Sequence, residues 1–175
     1  MSGNVLTQPY VGFFGKLPVT GDFVARGLPD SFRKNWDAWV TRHVAPRMRA
    51  GKRWPQGGLR CRLISGGQCA GAVIVPSADS AGRVFPLSLF LIGDTLPGQL
   101  GLCPWFGRAR RCAEMVMARS MDADALQTAL EAIPLPEGEL ADAPSMLLWT
   151  RRHAPETAEP DAPETVLDRM LGHQT

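Results

Sequence analysis

Charged side chains that could do chemistry gather in two glycine-rich stretches of the sequence and on a helix predicted after the first stretch. In chain order they are Lys16, Asp22, Arg26, Asp37, Asp79 and Arg83. Such acids and bases could form loop-organising ion pairs, a partner-binding surface or a small catalytic centre. Charged residues between glycines commonly cap and pair, so a structural role is favoured. A partner-binding surface comes second because loops often carry function, and catalysis comes last.

Gly15 and Lys16 invite comparison with a phosphate-binding loop. That loop requires Gly-x-x-x-x-Gly-Lys followed by Ser or Thr, so that backbone amides surround the phosphate and a hydroxyl reaches magnesium. Here Gly12 lies only three residues before Gly15, and Leu17 stands where the hydroxyl is needed. Pro18 then interrupts any following helix. The sequence therefore argues against nucleotide binding, and we expect no cofactor.

The spacing of histidine and cysteine gives no support for nucleophilic catalysis or a metal site. The three histidines lie far apart in the chain: His43, His153 and His173. No Gly-x-Ser-x-Gly elbow accompanies them. Four cysteines form no Cys-x-x-Cys pair: Cys61, Cys69, Cys103 and Cys112. We expect these cysteines to be small buried residues in a reducing compartment, and we expect neither a metal nor an enzymatic activity.

The composition is that of one ordinary folded domain. The 175 residues are 45% hydrophobic and 21% charged, so we expect a single domain over residues 1–175 rather than a disordered chain. The 19 basic residues are nearly balanced by 17 acidic ones, and the net charge of +2 argues against a nucleic-acid partner.

The chain termini and the apolar runs bear on location. The N-terminus has neither the basic start nor the apolar centre of a signal peptide. The longest apolar runs, residues 70–76 and 84–92, are far shorter than the roughly 20 residues that span a bilayer. We therefore expect a cytoplasmic protein without membrane insertion. The expected core covers residues 10–153, and residues 154–175 should form a flexible tail or a short terminal helix.

Hydrophobic spacing predicts the elements that must hold the charged side chains. A strand is expected at 11–14, and Asp30 or Ser31 should cap a helix that buries Trp36 and that Pro46 ends or kinks. The later elements are strands at 59–64, 70–75 and 87–92, helices starting at Pro104 and covering 122–133, and a strand at 146–149. Because strict strand–helix alternation is absent, we predict an α/β fold of the α+β-like kind. It has a mixed, largely antiparallel central sheet with helices packed on it.

The two charged stretches flank apolar runs that should be neighbouring strands. We therefore expect the stretches to meet in space and to form charge-assisted pairs. The expected pairs are Asp22 or Asp37 with Arg83, and Asp79 with Lys16 or Arg26. Trp36, next to Asp37, completes the set of candidate loop-organising or partner-binding residues.

Two ordered blocks of the sequence resemble a known family. The first block consists of four motifs in order: Gly-x-x-Gly-Lys-Leu-Pro at 12–18, Gly-Asp-Phe at 21–23, Arg-Gly-Leu-Pro at 26–29 and Trp-Asp-x-Trp at 36–39. Residues 76–90 begin Pro-Ser-x-Asp-x-x-Gly-Arg-x-Phe-Pro-Leu. Both blocks resemble the signature of the TagF family, also called ImpM, of bacterial type VI secretion accessory proteins. The blocks span about half of the chain.

The resemblance implies a non-enzymatic cytoplasmic regulator that acts after translation by protein–protein binding. The implied partner is a type VI secretion component, with a forkhead-associated scaffold protein as one form of it. The implied fold is an α/β sandwich around an antiparallel sheet, with a longin-like arrangement as one version. Two alternatives stay open: a small enzyme that uses Lys16, Asp22, Asp79 and Arg83, and a structural subunit of the secretion apparatus.

Overall fold

Seven strands and five helices account for most of the chain in the computed structural model, which describes residues 8–51, 53–142 and 144–172. The strands are β1 Tyr10–Gly15, β2 Val24–Arg26, β3 Leu59–Ser65, β4 Gln68–Ala78, β5 Val84–Gly93, β6 Met146–Trp149 and β7 Glu156–Thr157. The helices are α1 Asp30–His43, α2 Ala45–Arg49, α3 Gln99–Ala118, α4 Ala123–Glu131 and α5 Glu164–Leu171. None of the helices in the described ranges is long and apolar enough to cross a membrane.

The strands form one sheet in the order β2-β1-β5-β4-β3-β6-β7. Every strand pairing in the described chain is antiparallel, so the predicted class is confirmed and the sheet is more uniform than the mixed one expected. The β3–β4 hairpin turns at Gly66 and Gly67, both with positive φ, which is the backbone that a two-residue hairpin requires. The longin-like arrangement stays an expectation.

Helices cover both faces of the sheet, so the central strands carry apolar side chains on both sides. On β5, Leu87, Leu89 and Leu91 pack with α3 and α4. The alternate residues Phe90 and Ile92 pack with α1 and α5. Because successive side chains of a strand point to opposite faces, a strand covered on both sides reads as a nearly continuous apolar run. The sheet is therefore held between two separate cores.

Two prolines were expected to mark helix boundaries, and the structure bears out one of them. Pro46 lies in the first turn of α2, directly after α1 ends, which confirms the predicted break. Pro104 was expected to open the next helix, but α3 begins at Gln99, and Pro104 lies inside it. The proline removes one backbone hydrogen bond from α3. Packing of the fully buried Leu102, which precedes the proline, offsets that loss.

The C-terminal segment joins the core on the α1 side of the sheet. The predicted core ends at residue 153, whereas the structure has a short terminal helix beyond it, α5, that buries four side chains: Val166, Leu167, Met170 and Leu171. Before α5, the backbone amide of Ala158 donates to the Met146 carbonyl, and the indole of Trp39 donates to the Pro160 carbonyl at 2.9 Å. These bonds fix residues that their composition alone suggested would be loose.

Candidate functional site

The two charged stretches meet at one end of the sheet. The loop after β1, residues 16–23, lies beside the loop that joins β4 to β5, residues 79–83, because β1 pairs antiparallel with β5. We call these two loops the loop junction. The backbone amide of Ser80 donates to the Thr20 carbonyl at 2.8 Å and ties one loop directly to the other.

Asp79 is the centre of the loop junction. Its carboxylate is fully buried and accepts hydrogen bonds from Lys16 Nζ at 3.0 Å and from Arg83 Nε at 2.7 Å. The backbone amides of Ala81 and Arg83 donate to its second oxygen at 3.0 and 2.9 Å. Burial alone would raise the pKa of Asp79, but these donors overcome it and hold the pKa well below its usual range. The carboxylate is therefore ionised and fully engaged.

Lys16 reaches Asp79 from beneath two aromatic rings. Its ammonium group lies 4.8 Å from the ring centre of Phe23 and 6.0 Å from that of Phe85. Its carbonyl accepts the Ser77 hydroxyl at 2.6 Å. Both ends of this residue are thus fixed, and the ammonium is nearly buried between a carboxylate and two ring faces.

Arg83 closes the β4–β5 turn and also bridges to the other loop. Its Nη2 donates to the Gly21 carbonyl at 2.9 Å, while its Nε binds Asp79. Of the predicted pairs, Lys16 with Asp79 is present, whereas Arg83 pairs with neither Asp22 nor Asp37. Asp79, four residues earlier in the same turn, meets that guanidinium first. The two stretches are joined, but through one shared acid.

The remaining candidate residues have separate local partners. Asp22 accepts the amide of Phe23 at 2.7 Å and so organises its own turn. Arg26 binds Asp124 at the start of α4, and Asp37 accepts the Thr41 hydroxyl one turn along α1. Trp36 is buried against the sheet, where its indole donates to the Ser88 hydroxyl at 2.9 Å. These four residues do not join the Asp79 cluster.

Sequence reasoning missed the aromatic part of the loop junction. Phe23 stacks on Phe14 at 5.7 Å and meets the edge of Phe85 at 4.7 Å, yet it remains 43% exposed. Val19 and Val84 add two further exposed apolar side chains. The signal was present in the Gly-Asp-Phe and Gly-Arg-x-Phe motifs, where a phenylalanine follows each charged turn.

The loop junction offers a fixed surface. An acid that accepts four hydrogen bonds and has a depressed pKa is a poor proton acceptor at neutral pH. Among the described residues, no group of three or more His, Cys, Asp or Glu side chains could hold a metal ion. The side chains that the loop junction presents to solvent include that of Arg83, which is 64% exposed, Phe23 and Val19, with Val84 beside the loop and the polar residues Asp22 and Ser80.

Comparisons with known proteins agree with the two sequence blocks. A family model described as the TagF N-terminal domain, type VI secretion system-associated, matches residues 12–133. No curated protein matches the chain. Among solved structures, that of PA0076 from Pseudomonas aeruginosa PAO1 is similar with a TM-score of 0.62 and 24% identity. The match covers 94% of this chain and 96% of that one, and at this identity it shows a shared fold alone.

Proposed function

The chain belongs to the TagF N-terminal domain family of type VI secretion system-associated proteins, and from that premise we propose that it is a non-enzymatic regulator of the secretion apparatus. It acts after translation, in the cytoplasm, by binding a component of the apparatus. The forkhead-associated scaffold protein that the sequence resemblance implies is the first partner to test. Four free cysteine thiols are consistent with a reducing compartment.

The observation that carries this proposal is the exposed apolar patch, by which we mean the side chains of Val19 and Phe23 on the fixed loop junction and of Val84 directly after it. Phe23, Val19 and Val84 are each more than two-fifths exposed. The ion pairs of Asp79 and the hydrogen bond from Ser80 to Thr20 already hold the loops in place. A partner that binds a surface fixed in advance loses little conformational entropy, which favours affinity.

The state of the charged groups supports binding over catalysis. The alternative enzyme would use Lys16, Asp22, Asp79 and Arg83 together. Asp22 instead organises its own turn, and Asp79 binds two cations and two amides of the chain itself. A general base needs a free lone pair and a pKa near the working pH, and this carboxylate is far from both conditions.

Partner capture from a lysate of the source bacterium tests the proposal. The test variant combines Phe23→Ser with Val84→Asp, which changes the exposed apolar side chains. It keeps every ion-paired residue, but it removes the Phe23 ring that lies over the Lys16 ammonium. The matched control is Leu135→Asp, because Leu135 is 41% exposed and lies outside the loop junction. Thermal unfolding of each variant checks that the fold is kept.

We expect the unaltered chain and the control to recover a type VI secretion component, identified by mass spectrometry. We expect the test variant to lose at least about tenfold in recovery, because buried aromatic anchors often contribute 2 kcal/mol or more, about 30-fold, to binding. Equal recovery by all three proteins would remove the loop junction as the binding surface. Turnover of a small molecule by the purified chain, abolished by Lys16→Met, would favour the enzyme instead.

A further inference from the structure

A second surface with unusual chemistry lies where β3, the first half of α3 and the turn after β6 come together. Two adjoining hollows of about 370 and 390 Å³ open there. They share four lining residues: Arg60, Leu100, Cys103 and Arg151. We call this surface the basic cleft. It includes no residue of the loop junction.

The basic cleft concentrates positive charge, and only one of its arginines has an acidic partner among the described residues. Five arginines line its two hollows: Arg60, Arg110, Arg111, Arg151 and Arg152. No aspartate or glutamate is among the described residues that line either hollow. Arg110 does bind Glu114 one turn along α3. In a chain whose net charge is only +2, this convergence is a local separation of charge that attracts anions.

Arg60 is the best-buried member of the cleft. Only 7% of the residue is exposed, and its guanidinium packs over the Phe106 ring and donates to the Cys103 sulfur at 3.3 Å. Burial lowers the pKa of Arg60, the Cys103 sulfur opposes that effect, and the cations Arg151 and Arg110 lower the pKa further. A buried cation normally pairs with an acid, and Arg60 has no carboxylate partner among the described residues.

Three buried N–H donors at the cleft find no acceptor within the described part of the chain. They are Nε of Arg60, Nε of Arg110 and the indole nitrogen of Trp149. Arg60 lines both hollows, and Arg110 and Trp149 each line one. Buried donors without a partner are rare in folded proteins, and each needs an explanation. These N–H groups are closed to solvent, but they add positive partial charge beneath the surface of the cleft, which favours an anion there.

The local backbone shapes the turn that carries two arginines of the cleft, Arg151 and Arg152. The Thr150 hydroxyl accepts the amides of Arg152 and His153, which shapes the turn that carries Arg151. The side chain of Arg151 lies against Gly57, where even one added carbon would collide with it. The backbone of this turn is thus fixed before any ligand binds, which lowers the entropy cost of binding.

We propose that the basic cleft binds an acidic segment of a partner protein, with carboxylate or phosphoryl oxygens between Arg60, Arg111 and Arg151. Planar guanidinium groups suit both kinds of oxyanion. Leu100, which is 83% exposed at the cleft, provides an apolar contact that suits a peptide. Two short concave hollows fit a peptide better than a duplex, which needs a broad basic face, or a bilayer, which is flat.

Fluorescence anisotropy with short labelled peptides tests the proposal. One peptide is Gly-Glu-Leu-Glu-Glu-Gly, a second carries phosphoserine in place of the paired glutamates, and a third carries glutamine at all three acidic positions. A single-stranded DNA oligonucleotide and phosphatidylserine vesicles represent the other anions. All are measured with the full chain at low salt and again at about 0.15 M salt, where the Debye length is about 8 Å.

The test variant is Arg111→Gln with Arg151→Gln, since both side chains are exposed and their loss should leave the fold intact. The matched control is Arg49→Gln, an exposed arginine on α2 outside the cleft. A second variant, Arg60→Met, keeps an unbranched apolar chain in place of the arginine stem and removes the guanidinium with its charge. Thermal unfolding is recorded for all three.

We expect saturable binding of at least one acidic peptide, weakened at least about tenfold in each cleft variant and unchanged in the control. The tighter of the two acidic peptides identifies the source of the oxyanion. Equal binding of the glutamine peptide, no binding of either acidic peptide at low salt, or equal affinity in the cleft variants would overturn the proposal. Tighter binding of the oligonucleotide or the vesicles would overturn it as well, in favour of those ligands.

Discussion

At the loop junction two cations surround one buried carboxylate, whereas at the basic cleft five arginines converge with no acid among the described residues that line it. The first arrangement satisfies its charges within the chain and leaves an apolar patch in solvent. The second leaves buried donors without acceptors. Ion pairs within the chain fix the loops of the first region, whereas the unpaired arginines of the second attract anions. The comparison therefore separates residues that build a surface from residues that bind through one.

The largest expected difference is in thermal stability. Asp79→Asn removes the negative charge that Lys16 and Arg83 share and leaves the Lys16 ammonium nearly buried without a counterion, so the melting temperature should fall steeply. Arg60→Met replaces an uncompensated buried cation by an apolar side chain. Its free energy of unfolding should stay within about 1 kcal/mol of the unaltered chain or rise. Thermal and denaturant unfolding of both variants measure this difference. A larger loss of stability in Arg60→Met than in Asp79→Asn would contradict the comparison.

Of the two regions, acid should act on the loop junction, because no aspartate or glutamate is among the described residues that line the basic cleft. The folded pKa of Asp79 is depressed below its ordinary value of 3.8, so its stabilising contribution is complete above that pH. The contribution is lost as the pH falls from about 4 towards the folded pKa, because the unfolded state then binds the proton first. In Asp79→Asn the loss of unfolding free energy between about pH 4 and pH 2 should be visibly smaller. Parallel pH profiles for the two proteins would contradict this assignment.

Two glycines with positive φ should give smaller, unequal effects. At Gly82 in the loop junction an added methyl group meets open space. Gly82→Ala should therefore lower the free energy of unfolding only by the cost of holding alanine in a left-handed backbone conformation, about 1–2 kcal/mol. At Gly57 the methyl group would also collide with Arg151. Gly57→Ala should therefore lower the free energy of unfolding by more than Gly82→Ala does, and it should weaken binding of the acidic peptide. Denaturant titration gives both values. Equal losses would show that Arg151 moves aside freely.

The loop junction was partly predictable because its residues follow from local rules. Lys16 and Asp79 each come directly after an apolar strand, and neighbouring strands bring such residues together. The partner of Arg83 was predicted wrongly because Asp79 lies in the same turn as Arg83 and therefore reaches its guanidinium more easily than Asp22 or Asp37 does. Phe23 was missed because an aromatic residue after a charged turn gives no periodic signal.

The basic cleft could not be predicted from sequence spacing. Arg60 lies in β3, Arg110 and Arg111 lie in α3, and Arg151 and Arg152 follow β6. The antiparallel pairing of β3 with β6 sets Arg60 opposite Trp149, and packing of α3 brings Cys103 to Arg60. The composition of the chain encodes neither contact. Because α3 was predicted to begin at Pro104, its first turn was not predicted, and that turn places Leu100 at the basic cleft.

Amide hydrogen exchange of the chain alone and in complex with the captured secretion component tests the central proposal most directly. We predict slower exchange at residues 19–24 and 80–84 in the complex, because the partner covers the patch formed by Phe23 and the two valines. Unchanged exchange in both ranges, with protection confined to other parts of the chain, would contradict the assignment of the loop junction as the regulatory binding surface.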